Sequence, residues 1–564
     1  MKKRALWSVI LLLCVTVQAL AQNARDARWI EDIHYIARRA EIAHPNLYLY
    51  LPEHAFQQRM QRLIEEVPAR SDSEVVLGLW ELLAGLRDGH SNFVFFKSDP
   101  ELMNRYFHSF PFTAYPFSDG LYIIAATTAH ADCVGKRVLS IGGVPAEEAM
   151  RRVSKIISAD NAQGVANMMP FTLNIAEILS YYDINASNTE LSLALMNARG
   201  EKEIKAFTSR PIMTQTQALF RGFIPAKSDD RLITMNQESS NPLPLWLSRP
   251  EENYWFTYLE AQKCYYLQIN QCHDMQKEGF AAFVARLFAD FDRNGAERLI
   301  VDVRRNDGGN HIERPLLKAI LARPALDRPE NLFLFISRVT YSASQHLVNR
   351  LVRDTEVTLV GEPTGSRCNF WGSPKSFSPP HHQGLVFRVS SAFFQDGEPQ
   401  DFSRETRPDL MARLSSHHYR NNIDPAMEKV FALESQRALR SQYLNALKAA
   451  FEDQGLSGFK AAYAQLKNEM AMHEIDAERL LMTDVDRWII RHREDDAAYV
   501  AYLRFVESEF PENDEVAFWL GGWLMSSGDR AAAGAYYRKC LTLNPAHRLA
   551  RMKYETMRLD ASLH

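Results

Sequence analysis

Between residues 251 and 410, short runs of apolar residues alternate with amphipathic ones, and no other feature narrows the fold of this chain so far. Cys264–Ile269, Arg298–Val303, Leu332–Ile336, Val357–Val360 and Leu385–Ser390 read as strands. Lys277–Phe291, Arg314–Ala322 and Ser342–Val352 read as helices between them. Strands that are apolar along their whole length need cover on both faces, and alternating helices provide it. The spacing predicts a layered α/β core over residues 251–430.

At 564 residues the chain is too long for one core, and its flanks read differently. Residues 22–105 are expected to be helical: Trp29, Ile30, Ile33, Ile36, Ala37 and Ala40 recur at helical spacing. Further helices are expected near Ala55–Glu66 and over Ser73–Leu86, the latter opening on a serine cap. Residues 106–250 are strand-rich, with a strand at Leu121–Thr127 and a hairpin over Gly135–Pro145 that turns at Gly142-Gly143. The polar stretch 221–244 reads as a long loop. Residues 431–564 are helical, and Leu520, Gly521, Leu524, Ala533, Tyr537 and Pro545 fall at the offsets of a helical-hairpin repeat of about 34 residues.

Lys2, Lys3 and Arg4 precede the apolar run Leu6–Leu13, and Ala19-Leu20-Ala21 gives a small-x-small pattern. Residues 1–21 therefore read as a secretory signal peptide, which places the mature chain outside the cell or in a periplasm. No later run is long and apolar enough to span a membrane. The net charge of −4, without a dense Lys/Arg cluster, gives no footprint for nucleic acid. Six cysteines less Cys14 leave an odd number, so at least one is unpaired within the chain; Cys264 and Cys272 are candidates for a bridge. No Cys/His spacing suggests a metal, and no cofactor is implied.

Four short stretches could carry chemistry. In Asn331–Leu351 a strand turns into a helix that opens at Ser342. A hydroxyl there faces outward-pointing backbone N–H groups and the positive end of the helix dipole, a place to stabilise an oxyanion, although serine also serves there simply as a cap. Asp302–Asn310 follows a strand and carries Gly308-Gly309, which let backbone approach a ligand or merely form a turn. Leu86–Phe93 carries Gly89-His90-Ser91, with a hydroxyl beside a histidine. Gly361–Asn369, GEPTGSRCN, is a loop after a strand.

Taken together, these stretches resemble the S41 serine peptidases, the tail-specific and C-terminal processing proteases, over about residues 25–430. The resemblance is nearest to the branch holding the tricorn core and the retinoid-binding repeats. It implies a ClpP/crotonase-like layered α/β core with a PDZ-like insert, the latter matching the Gly135–Pro145 hairpin. It implies Ser342 as nucleophile and Gly308, Gly309 and the Ala343 N–H as oxyanion donors. One branch of the family uses a lysine base in a GExTxGK-like loop. Here Arg367 stands at that position, and an arginine does not give up its proton near neutral pH. Lys375 is the nearest substitute in sequence. The other branch uses a histidine in a GH(S/T) motif, which maps to His90. The acidic member falls shortly before Pro408-Asp409, at Asp401 or Glu405, while Asp88 reads as structural.

The sequence thus gives a multidomain α/β protein divided as 1–21 signal peptide, 22–105 helical, 106–250 strand-rich and PDZ-like, 251–430 peptidase core, and 431–564 α-helical tetratricopeptide-like repeats. The expected function is a secreted or periplasmic serine peptidase acting on peptide or protein substrates through Ser342 and His90. The alternative is a catalytically inactive S41-like protein that binds peptides or hydrophobic ligands. The helical repeats would offer a surface to a protein partner. His346, Ser344 and Cys368 lie near this machinery in sequence and are given packing or lining roles.

Overall fold

In the computed structural model, residues 2–214, 232–397, 401, 403–473, 475–492 and 495–561 are described, with side chains except in 2–21, 433–438, 487 and 558–561. The proposed signal segment has no described side chains. No helix of the described residues is long and apolar enough to cross a membrane.

The amino-terminal part packs three helices, α1 (Lys2–Ala43), α2 (Glu53–Glu66) and α3 (Asp72–Ala84). Trp29, Ile33, Ile36, Ala37 and Ala40 form the buried face of α1, as the helical period requires. Helix α3 starts one residue earlier than the apolar pattern suggests, and its cap is Ser71. Glu74 stands three residues after Ser71, so side chain and backbone satisfy each other in both directions. The third residue after Ser73 is Val76, which cannot close such a box. Helix α3 is buried on almost every side, and the chain leaving it delivers His90.

Next comes an antiparallel sheet of β1 (Phe112–Phe117), β2 (Gly120–Thr127), β3 (Arg137–Ile141), β4 (Glu190–Met196), β5 (Lys202–Thr208) and β6 (Leu232–Thr234), ordered β6-β2-β3-β4-β5 with β1 also on β2. Gly142 and Gly143, with φ of 57° and 85°, make the tight turn after β3. Part of the expected loop at 221–244 is strand instead, because Leu232–Thr234 pairs with Ala125–Thr127, about a hundred residues back in the chain. Residues 221–231 of that loop lie outside the described residues.

The core sheet runs β7 (Tyr254–Leu259), β8 (Cys264–Ile269), β9 (Arg298–Asp302), β10 (Leu332–Ile336), β11 (Thr358–Gly361) and β12 (Leu410–Met411), in that spatial order. Only the β7–β8 pair is antiparallel. The crossovers are α4 (Phe280–Arg293), α5 (Arg314–Leu321) and α6 (Ala343–Asp354). Parallel strands in sequential order, joined by crossovers of one hand, stack all three helices on the same face. Leu267, Val301, Leu334 and Leu359 point to that face, beside Leu287, Leu316 and Leu347. Tyr266, Ile300, Phe333 and Val360 point the other way, against Ala426 and Val430 of the short helix Pro425–Phe431. Both faces are therefore covered, and this is why the strands read as continuous apolar runs. Cys264 and Cys272, the proposed bridge, are both free and buried.

The carboxy-terminal helices α7 (Asp496–Glu509), α8 (Asp514–Ser526), α9 (Arg530–Leu543) and α10 (Arg548–Ala561) each pack against the next in sequence. Gly521 on α8 lets the buried Tyr537 ring of α9 lie directly on the helix backbone. A Cβ there would stand 2.6 Å from the ring. Gly521→Ala is expected to destabilise this region by about 1–2 kcal/mol, since the clash outweighs the better helix propensity. A thermal melt that does not shift downward would contradict this account of the packing.

Candidate active site

Ser342 lies at the carboxyl end of β10, where the chain turns into α6 and where open parallel sheets place their sites. The turn is held to the end of β9 from several directions. Ser337 Oγ donates to the Arg304 carbonyl at 2.7 Å, Thr340 Oγ1 to the Val303 carbonyl at 3.1 Å, and the Tyr341 N–H to the Asn306 carbonyl at 3.2 Å. These bonds hold Ser342 at φ 58° and ψ −122°, a conformation that residues with a Cβ adopt at a cost of about 1–3 kcal/mol. Ser342 occupies the N-cap position, yet its hydroxyl caps nothing. The hydroxyl meets His90 Nε2 at 2.9 Å instead.

The Gly308-Gly309 loop packs against this turn. Gly308 has φ 121°, and a Cβ on it would lie 2.7 Å from Ser342 Cβ and 3.1 Å from the Ala343 nitrogen. Only glycine lets the two backbones come this close. The loop is pinned by Asn306, whose Oδ1 accepts from the Gly308 N–H at 2.9 Å, and by Cys272, whose N–H donates to the Gly308 carbonyl at 2.9 Å. The Gly308 N–H is thus engaged, while those of Gly309 and Ala343 make no hydrogen bond among the described residues.

His90 is held through its backbone as well as its ring. Its N–H donates to Asp88 Oδ1 at 2.9 Å. Asp88 is fully buried, also accepts from Ser91 Oγ and stands 3.4 Å from His44 Nε2. These partners hold its carboxyl down at about 2 although burial pushes the other way, so it stays ionised. Ser91 therefore braces Asp88 and the Ser390 N–H and does not orient the imidazole. The ring stacks on Tyr341, centroids 4.6 Å apart, with Phe370 parallel to it at 6.0 Å. Burial lowers the imidazole pKa to about 4, with Arg388 and His346 acting in the same direction, against the upward pull of Asp88 and of a hydrogen bond to the Trp371 backbone carbonyl. At neutral pH the ring is uncharged, as a general base must be.

The side chains of the other residues singled out in the sequence take no part in the Ser342–His90 contact. Asp401 Oδ1 accepts from the Ser403 N–H, and Glu405 accepts from Arg407 at 3.3 Å; neither hydrogen bonds to His90. The strand pairing of β11 and β12 carries this segment towards the carboxy-terminal helices, where Arg404 donates to Asn544 Oδ1 at 2.8 Å. Arg367 is buried with its guanidinium over the Tyr50 ring. Lys375 is exposed on the short strand Lys375–Phe377. His346 is buried and pairs with Asp396, among the rings of His311, Phe370 and Phe394. Ser344 is fully buried. Cys368 lines a cavity of about 1950 Å³ between the amino-terminal helices and the carboxy-terminal ones, whose walls do not include Ser342 or His90. Two polar neighbours of the histidine escaped the sequence reading, Tyr341 and Asp160. Adjacency to Ser342 was a signal for the first; nothing local marks the second.

No protein-family model and no curated protein match this sequence. Solved structures do. Mature CPAF complexed with lactacystin matches with a TM-score of 0.50 at 12% identity, over 73% of this chain and 98% of that one. A serine-to-alanine mutant of CPAF matches with a TM-score of 0.50 at 12% identity, over 72% and 96%. A putative S41 protease from Bacteroides fragilis aligns over 58% of this chain and 83% of its own, at 13% identity and a TM-score of 0.26. The mixed, multidomain fold of this chain is similar to that of CPAF.

Proposed function

We propose that this chain is a serine peptidase of the S41 type, with Ser342 as nucleophile and His90 as general base. The observation that carries the reading is the 2.9 Å contact between His90 Nε2 and Ser342 Oγ, made by residues 252 positions apart, on a serine held in strained backbone at a helix start. His90 takes the hydroxyl proton as Ser342 Oγ attacks the carbonyl carbon of a peptide bond. The oxyanion is received by the N–H groups of Ala343 and Gly309, at the positive end of α6. Gly308 supplies the close approach. His90 then returns the proton to the departing amine, and water, activated by the same ring, releases the acid product from Ser342.

The finer features belong to the same proposal: a ClpP/crotonase-like core, a PDZ-like unit in the β1–β6 sheet, tetratricopeptide-like hairpins that meet a protein partner, and export with cleavage after Ala21. The fold of CPAF and the arrangement of Gly89-His90-Ser91, Gly308-Gly309 and Ser342 support it. Labelling by a fluorophosphonate probe tests it. Wild-type protein is expected to label, Ser342→Ala not at all, and His90→Ala at a rate lower by about 10²-fold or more. Folded wild-type protein that stays unlabelled would leave the fold without the chemistry, and equal labelling of Ser342→Ala would place the nucleophile elsewhere.

A further inference from the structure

We propose that Tyr341 and Asp160 together take the place of the triad carboxylate: the Tyr341 hydroxyl, held by Asp160, accepts the Nδ1 proton of His90 in a hydrogen bond and so fixes the imidazole as the tautomer able to deprotonate Ser342. This rests on the peptidase reading above for its purpose, though not for its geometry.

Tyr341 Oη lies 2.8 Å from His90 Nδ1 and 3.4 Å from Asp160 Oδ1. A phenol between a neutral imidazole and a carboxylate has one proton to give. Donated to Nδ1, it would force the ring proton onto Nε2, which would then point at Ser342 Oγ and prevent it from accepting the serine proton. Donated to Asp160, it leaves the phenol lone pairs to receive an Nδ1–H, and Nε2 becomes the acceptor that a general base requires. A carboxylate competes for this proton far better than an imidazole nitrogen does, so ionised Asp160 selects the productive tautomer. Tyr341 itself stays protonated, since burial beside Asp160 and Asp88 drives its pKa well above the phenol value.

The surroundings support the assignment. Asp88 is already engaged by the His90 N–H, Ser91 and His44, so its hydrogen bond goes to the histidine backbone and only its charge reaches the ring, where the Trp371 backbone carbonyl is the other acceptor beside the Tyr341 hydroxyl. Asp160 is held in place by the Gly89 N–H at 2.8 Å and by Ser366 Oγ at 3.3 Å. The groups that face it are Asp88, Arg367, Tyr50 and Tyr341. The glycine of Gly89-His90-Ser91 gains a physical reason as well. A Cβ on Gly89 would overlap the Tyr341 hydroxyl and lie 3.0 Å from its Cζ, so any larger residue pushes the phenol off the histidine. Tyr341 and Asp160 are positioning residues, acting on substrate only through His90.

The tautomer is read directly, with no need of a substrate, from the 15N shifts of full-length protein labelled at histidine, the His90 signals being assigned by their loss in His90→Gln. Wild-type His90 at neutral pH is expected as the Nδ1–H form. Tyr341→Phe, which keeps the stacked ring, and Asp160→Asn, which keeps the shape, are each expected to shift it towards Nε2–H. On a peptide substrate both are expected to lower kcat by about 10- to 100-fold, with KM within about twofold and a double variant no worse than the single ones. Thermal melts show whether each variant is folded. A His90 that stays Nδ1–H in both folded variants, or is Nε2–H in the wild type, overturns the proposal. If the tautomer responds as expected but the wild type neither labels nor cleaves, the positioning pair stands and the peptidase reading fails.

Discussion

Replacing Ser342 by alanine is expected to lower kcat by about 10⁶-fold while leaving the fold intact, and replacing it by glycine is expected to do the same and to stabilise the protein. The first outcome follows from the chemistry. Once the nucleophile is gone, only binding and oxyanion stabilisation remain, and they account for a small part of the acceleration. The second follows from the backbone. Ser342 is held at φ 58° by bonds that its neighbours make to the end of β9, and its own hydroxyl contributes no cap. Alanine keeps the Cβ and the strain. Glycine removes both, and a gain of about 1 kcal/mol is expected. Activity assays and melting curves of the three proteins check this together. A glycine variant less stable than the alanine variant would show that the strained serine is not where stability is given up for function.

The second large effect concerns His90 and pH. His90→Ala is expected to lose about 10⁴-fold or more in kcat. In the wild type the loss on acidification should come in two steps. Asp160, raised to about 6 by burial and the nearby Asp88 charge, gains a proton first. The neutral acid competes poorly for the phenol proton, so a fraction of His90 changes tautomer and activity falls partway. His90, lowered to about 4, is protonated last, and the remaining activity disappears. The sign is set by the ring: a base depressed by burial remains neutral and competent below the usual histidine range, and fails only as pH falls through its own pKa. Asp160→Asn is expected to remove the upper step and keep the lower one. A single step near 6.5 in both proteins would mean that His90 is neither buried in the working enzyme nor governed by Asp160.

Ser342, Gly308 and His90, which the structure brings together, lie with Gly309 in short local patterns (a serine after an apolar strand, paired glycines at a strand end, a histidine after a glycine), and it was the family resemblance of the set that gave them their roles. Local pattern also marks β8 to β11 and their helices, where period and burial agree on both faces of the sheet. The carboxylate was sought at Asp401 or Glu405 because family order placed it there. In this structure β12 directs that segment towards Asn544, whereas Asp160, on the loop that follows the short helix Ser154–Ile156, arrives at Tyr341 from the strand-rich region. Nothing within ten residues of Asp160 records that neighbour.

The sequence alone determined the layered core, a serine at the start of α6 and paired glycines at the end of β9; that Arg367 stands where a lysine base is expected follows only from the family resemblance. The core and the placing of these residues are consequences of hydrophobic period and turn chemistry, which act over a few residues. Only the tertiary structure decided which histidine nitrogen meets Ser342, that the Gly308 N–H is engaged by Asn306, and that the Tyr341 hydroxyl stands between His90 Nδ1 and Asp160. Those depend on distances between segments up to 252 residues apart, and on burial that sets the charge of His90 and Asp160.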